Sequence, residues 1–231
     1  MVLFKQQPTV ADALQLWTQA FGSSPDHFQK SPPGAPGPQA TGTVDAHQFT
    51  LQSQPGRIEL IVTAFDSAEP APAIRDIPAA LGLLKRYADP LCAGQAVLRI
   101  ACVLQLLEKV ASAHEAAKLV GSAAQLQQVP ENAADLEFAI NIRQTLKKHP
   151  GVQMNRLCRW AIAVQEIFQS RTDTPWLTRP VSTFHVAAFT VDINTVPRAE
   201  PYRQEDVISV FGELADEATR LMQEGYKGLF A

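Results

Sequence analysis

The sequence predicts an α+β protein. Its core is an antiparallel sheet of long strands with helices packed on one face, ending in a C-terminal amphipathic helix. An N-terminal helix is carried on a Pro/Gly-rich linker. Three observations lead there. Residues 135–146 alternate strictly between apolar and polar, the mark of a half-buried strand. Residues Gln204 to about Lys227 repeat with helical period. Strand and helix patterns are mixed without the βαβ alternation of a parallel sheet.

The elements follow in chain order. Val10, Leu14, Trp17 and Phe21 fall on one helical stripe, with Thr9 as cap and Gly22 as terminator. Ser31 to Gly42 holds four prolines and three glycines, a composition that reads as a linker. The predicted organisation is therefore a helical segment at 1–30, a linker at 31–42 and an α+β domain at 43–231. Residues 43–66 read as a hairpin, with Pro55 and Gly56 at the central positions of a type II turn. A loop with Pro70 and Pro72 precedes a helix capped by Asp76, with Pro78 in its first turn, a stripe of Ile77, Leu81, Leu84 and Ala88, and a stop at Asp89-Pro90. Val97 to Leu107 is almost continuously apolar; its length favours a helix, and a buried central strand is the rival reading. Ser112 to Val120 reads as a short helix with Gly121 as its C-cap.

Leu136, Phe138, Ile140 and Ile142 occupy one face of the alternating strand. Lys147 to Gly151 forms a turn, and Met154 to Phe168 returns as a second strand with Trp160, Ile162, Val164 and Phe168 on one face. Antiparallel pairing about that turn sets Phe138 opposite Trp160 and Arg143 opposite Asn155. After a loop with Pro175 and Pro180, a third strand covers Thr183 to Asn194. The closing helix carries Val207, Phe211, Leu214, Ala218 and Leu221 on its apolar stripe.

Composition narrows the function classes. The chain has 231 residues, of which 46% are hydrophobic and 19% charged, so it has the means to fold. A net charge of −3 disfavours nucleic-acid binding through phosphate neutralisation. No basic segment leads a signal-like apolar stretch, and no run approaches the roughly 18 residues of a spanning helix. The expectation is a cytoplasmic protein with no membrane span. Cys92, Cys102 and Cys158 are an odd, widely spaced set, which reads as buried, unbridged thiols.

Phe138-Ala-Ile-Asn-Ile-Arg143, Asn155-Arg-Leu-Cys-Arg-Trp160 and Val191-Asp-Ile-Asn-Thr195, placed before a C-terminal amphipathic helix, together resemble a sporadically distributed bacterial protein family of unknown function. The resemblance spans about residues 43 to 228. It implies an α+β fold with long antiparallel strands, and a strand at 95–108. It implies no activity; the family's patchy distribution points to an accessory role, in defence or toxin control.

Candidate sites are few. The five histidines are isolated, with no metal-ligand spacing. No phosphate-binding loop and no nucleophile elbow is present. No catalytic residue, metal site or cofactor is assigned. Glu137, Asn141, Arg143, Asn155 and Arg159 project from one face of the predicted hairpin, with Asp192 and Asn194 on a neighbouring strand. Arginine forks and amides suit an anionic ligand or a partner; the plainer reading is the solvated outer face of a sheet. Leu14, Trp17 and Phe21 are candidates for docking on a partner, or equally on the chain itself. The sequence reading is a non-catalytic interaction or adaptor subunit, self-associating or bound to a protein partner. The rivals are an anion-binding sensor and an enzyme of unrecognised type.

Overall fold

The computed structural model describes residues 1–30, 37–64, 74, 76–130, 133, 135–168 and 180–230, the side chains at 167, 168, 180 and 181 excepted. The predicted linker positions 31–36, the loop prolines Pro70, Pro72 and Pro175, and the side chain of Phe168 lie outside the described residues. The strands are β1 (Val2–Lys5), β2 (His27–Gln29), β3 (Gln39–Val44), β4 (His47–Gln54), β5 (Arg57–Ala64), β6 (Val97–Val110), β7 (Glu137–Thr145), β8 (Gln153–Phe168) and β9 (Pro180–Thr195). The helices are α1 (Ala13–Phe21), α2 (Ile77–Cys92), α3 (Ala113–Ala123) and α4 (Gln204–Glu224), followed by a 3-10 turn at Gly225–Phe230. The strands form an antiparallel sheet in the order β2-β3-β4-β5-β1-β6-β9-β8-β7, an α+β fold. The chain divides into unit 1, residues 1–103, 143–155 and 193–219, and unit 2, residues 104–142, 156–192 and 220–231.

In unit 1 the first strand corrects the sequence reading. Residues 1–30 are more than a helical segment, because β1 pairs with β5 on one side and β6 on the other. Four residues are too few to show a period, so only this double pairing reveals the strand. Leu3, Ile58 and Ile100 lie side by side across the three strands and are fully buried. The predicted linker is also shorter than expected, since residues 39–44 are β3, paired along its length with β4. Its link to β4 is Asp45-Ala46, both with positive φ (49° and 60°), a two-residue turn of the hairpin type built without glycine. Gly56, at φ 70°, takes the predicted left-handed position of the next hairpin.

Helix α1 starts later than predicted. Asp12, not Thr9, is the cap, and its carboxylate accepts from the backbone N–H of Leu14 and Gln15. Trp17 is buried against β3, where a Cβ on Gly42 would come 2.7 Å from the indole. The Phe21 ring packs at a tilt against Tyr87 of α2 and Phe49 of β4, with centroids 4.6 and 5.1 Å away. Helix α2 does not stop at Asp89-Pro90. It runs on to Cys92, because Leu91 and Cys92 are buried and a proline in the last turn removes only one intrahelical bond.

The apolar run of β6, residues 97–103 in unit 1 and 104–107 in unit 2, is a strand, not the helix its length suggested. Helix α3 begins at Ala113, with Ser112 as its cap rather than its first residue, and continues past Gly121 to Ala123, and Gln125 takes the left-handed position at φ 56°. Gly121 serves packing instead: a Cβ there would meet Val129 Cγ2 at 2.2 Å. The β7–β8 register is the predicted one. In unit 1 Leu146 N–H donates to Val152 O, and in unit 2 Ile162 N–H donates to Leu136 O. Every residue of the predicted α4 stripe is buried.

Candidate functional site

The polar residues expected on the hairpin are divided between the two units. In unit 1, Arg143 Nε donates to Asn155 Oδ1 at 3.3 Å, and Asn155 Nδ2 donates to Asn194 Oδ1 at 2.9 Å. Asn194 is buried, and beside it Thr195 Oγ1 accepts from the N–H of Ile100 at 3.0 Å. This line of amides fixes neighbouring strands to one another. In unit 2, Arg159 Nε lies 3.3 Å from Glu137 Oε1 with both side chains about half exposed, a pair worth about 0–1 kcal/mol. Asn141 is exposed and Asp192 half-buried. Both arginines expected to hold a ligand therefore have partners within the chain.

The α1 candidates separate in the same way. Trp17 and Phe21 are packed inside unit 1, whereas Leu14 is 39% exposed. The helix docks on its own chain, with Trp17 buried and Phe21 half-buried.

None of the candidate site residues of the sequence reading lines a groove found in unit 2. It has a volume of about 650 Å³, and Leu106 and Leu107 of β6, Leu119 of α3, Trp160 of β8, Phe189 of β9 and Tyr226 after α4 form much of its wall. The sequence signal was present but ambiguous: Leu106 and Leu107 are consecutive, so they take opposite sides of a strand but neighbouring positions on a helix. Trp160 anchors the wall. It is buried and stacks on Phe189 with centroids 4.7 Å apart and planes within 16°, while Phe138 and Tyr226 lie 5.7 and 6.1 Å away. Aromatic pairs of this kind add about 0.5–1.5 kcal/mol beyond area burial and keep the wall rigid.

Two guanidinium groups hold the turn that brings Tyr226 to the groove. Arg156 Nη2 donates to Leu229 O and Arg220 Nη2 to Gly228 O, each at 3.0 Å. Arg156 is buried, on the same face of β8 as Met154, Cys158 and Trp160. Alternation placed it among apolar residues, and nothing in the sequence marked it as a core arginine.

Among the described residues that line the groove, the charged ones are Glu108, Glu224 and Lys227, and none is a histidine, cysteine or serine. Elsewhere, all three cysteines are buried and outside disulfides. Burial, reinforced by the charge of Asp89, pushes the Cys92 thiol up to about 12, so it stays protonated. Among the described residues no three His, Cys, Asp or Glu side chains are grouped to hold a metal ion, and no helix is long and apolar enough to cross a membrane. Comparison with protein-family models, curated proteins and solved structures finds no match.

Proposed function

We propose that this chain is a non-catalytic binding subunit whose unit 2 receives the apolar face of an amphipathic helix from a protein partner. One observation carries the reading: the groove of about 650 Å³ with Leu107 and Leu119 on its wall, each 44% exposed. Two leucines left open beside a rigid aromatic wall form a surface whose burial on association is favourable. A small-molecule pocket covers some 70–90% of its ligand. This groove is partly open to solvent, with Leu107 and Leu119 each 44% exposed, and suits an occupant that needs only one face covered, as a helix does. Glu108 and Lys227 give it a rim of both charge signs, suited to fixing orientation. The accessory role implied by the sequence resemblance agrees with a subunit that acts through its partner.

The test is the mass of the protein in solution, alone and co-expressed with the products of adjacent genes. The wild type is expected to form a stable complex, and the double variant Leu107→Glu/Leu119→Glu to weaken it at least 100-fold with little change in melting, as loss of two central anchors requires. A homodimer that the same variant breaks would identify a second copy as the occupant. A monomer that captures no neighbour, or a complex indifferent to the variant, overturns the proposal.

A further inference from the structure

Away from the groove, in unit 1, the sheet face opposite the Leu3–Ile58–Ile100 core holds a row of side chains that the fold leaves incompletely satisfied. The register pairs Phe4 with Arg57 on β5 and with Arg99 on β6. All three therefore project from one face. The Arg57 and Arg99 guanidinium carbons lie 5.6 and 4.6 Å from the Phe4 ring centroid. Gln54, opposite Arg57 on β4, extends the row.

The two arginines are not equivalent. Arg57 is ion-paired with Glu59, two residues along the same strand and on the same face. Arg99 has no hydrogen-bond or ion-pair partner among the described residues, although its Nε is shielded from solvent; Arg57 Nε is shielded and unpartnered too. A shielded cationic donor without an acceptor is costly, and folds supply a partner in most cases. The β1–β6 register also slips between Phe4 and Lys5, an irregularity of the kind that re-aims side chains next to functional sites.

We propose that the Arg57–Phe4–Arg99 row is a binding site for a phosphate group. Two guanidinium forks rise from strands about 10 Å apart, on either side of one intervening strand, and both reach toward the same ring. A phosphate presents enough oxygens for both forks, whereas a single carboxylate is satisfied by one. Glu59 acts as an internal competitor that holds Arg57 while the site is empty, and Arg99 makes the first contact. The Phe4 ring lies beneath both guanidinium groups and keeps water from their inner side, so any aromatic group that carries the phosphate would pack on the guanidinium planes. The site lies in unit 1 and stands or falls independently of the groove in unit 2.

The experiment is calorimetric titration of the full chain at low salt with inorganic phosphate and, separately, phenyl phosphate. Arg99→Gln is expected to weaken binding at least tenfold. Arg57→Gln is expected to weaken it less, and Glu59→Gln to tighten it several-fold by releasing Arg57. Arg99→Lys, which keeps the charge without the fork, should fall between wild type and Arg99→Gln; it replaces the glutamine variant should that one fail to fold. Tighter binding of phenyl phosphate than of phosphate assigns the site to a phosphorylated aromatic molecule, and equal binding assigns it to the phosphate group alone. No binding of either compound to the folded wild type, or binding unchanged by Arg99→Gln and by Arg99→Lys, overturns the proposal.

Discussion

At the scale of single residues, the fold keeps side chains in places that their own preferences resist. Ala46 is the plainest case. It sits at φ 60° in the β3–β4 turn, where an L side chain costs roughly 1–2 kcal/mol. Glycine removes that cost but adds about 0.5–1 kcal/mol of chain entropy. Ala46→Gly is therefore expected to stabilise unit 1 by about 0.5–1 kcal/mol, read as a higher urea midpoint at unchanged slope. Its neighbour Asp45 should not behave alike, although φ is 49° there. Its carboxylate accepts from the Tyr87 hydroxyl at 2.9 Å and from Arg86 at 3.3 Å, bonds that glycine would lose. Asp45→Gly should gain nothing. The turn was hidden in the sequence because Asp-Ala carries neither the glycine nor the asparagine that announces such turns. Trp17 and Phe21 were legible as apolar stripe residues, but Leu14 belongs to the same stripe by spacing and stays in solvent. The stripe shows which way a helix turns, not how much of that face its neighbours cover.

At the scale of elements, legibility tracked redundancy. The β7–β8 hairpin was readable to its register because alternation on both strands and the turn sequence between them agreed. β6 was not, because continuous apolarity fits a strand buried on both sides as well as it fits a helix. One device between elements was invisible: Glu213 of α4 closes the β7–β8 turn. Its carboxylate accepts from the backbone N–H of Lys147 and Lys148 and from His149 Nδ1 at 3.0 Å, while Lys148 Nζ lies 3.6 Å from Asp216 at the exposed edge. Burial alone would raise the Glu213 carboxyl. The bonds from His149 and the two backbone N–H groups outweigh it and hold the group below its ordinary 4.5. A carboxylate depressed in the folded state stabilises fully above its unfolded value and loses that contribution as pH falls through the folded one. Glu213→Gln is therefore expected to cost about 1.5–3 kcal/mol at pH 7, the range for a hydrogen bond to a charged group. The gap between variant and wild type should shrink as pH drops below about 4.5. Urea unfolding at pH 7, 5 and 3.5 checks it; a gap that stays constant across the series would show that the clasp does not depend on the carboxylate charge.

At the scale of the whole molecule, the sheet order was the least legible feature, because it depends on where the first five residues go. Their sequence neighbours are a loop and a helix, but their spatial neighbours are β5 and a strand almost 100 positions away. No local pattern encodes that pairing; it is selected because Val2 and Leu3 bury only when both flanking strands are present. It follows that the N-terminus is structural, and that deleting residues 1–30 removes an interior strand rather than a docking helix alone. Leu3 is fully buried, so Leu3→Ala should cost about 2–5 kcal/mol. That is a large fraction of the 5–15 kcal/mol that holds a typical domain folded. Deleting residues 1–5 removes Leu3, Val2 and the backbone partners of two strands together, and is expected to abolish cooperative unfolding. Leu14→Ser, on the exposed side of α1, should change stability by no more than about 0.5 kcal/mol. Far-UV circular dichroism with urea titration orders the three variants. A chain without residues 1–5 that still unfolds in one steep transition would mean that β5 and β6 can pair directly, and that β1 is an insertion the sheet tolerates rather than the strand that joins its two sides.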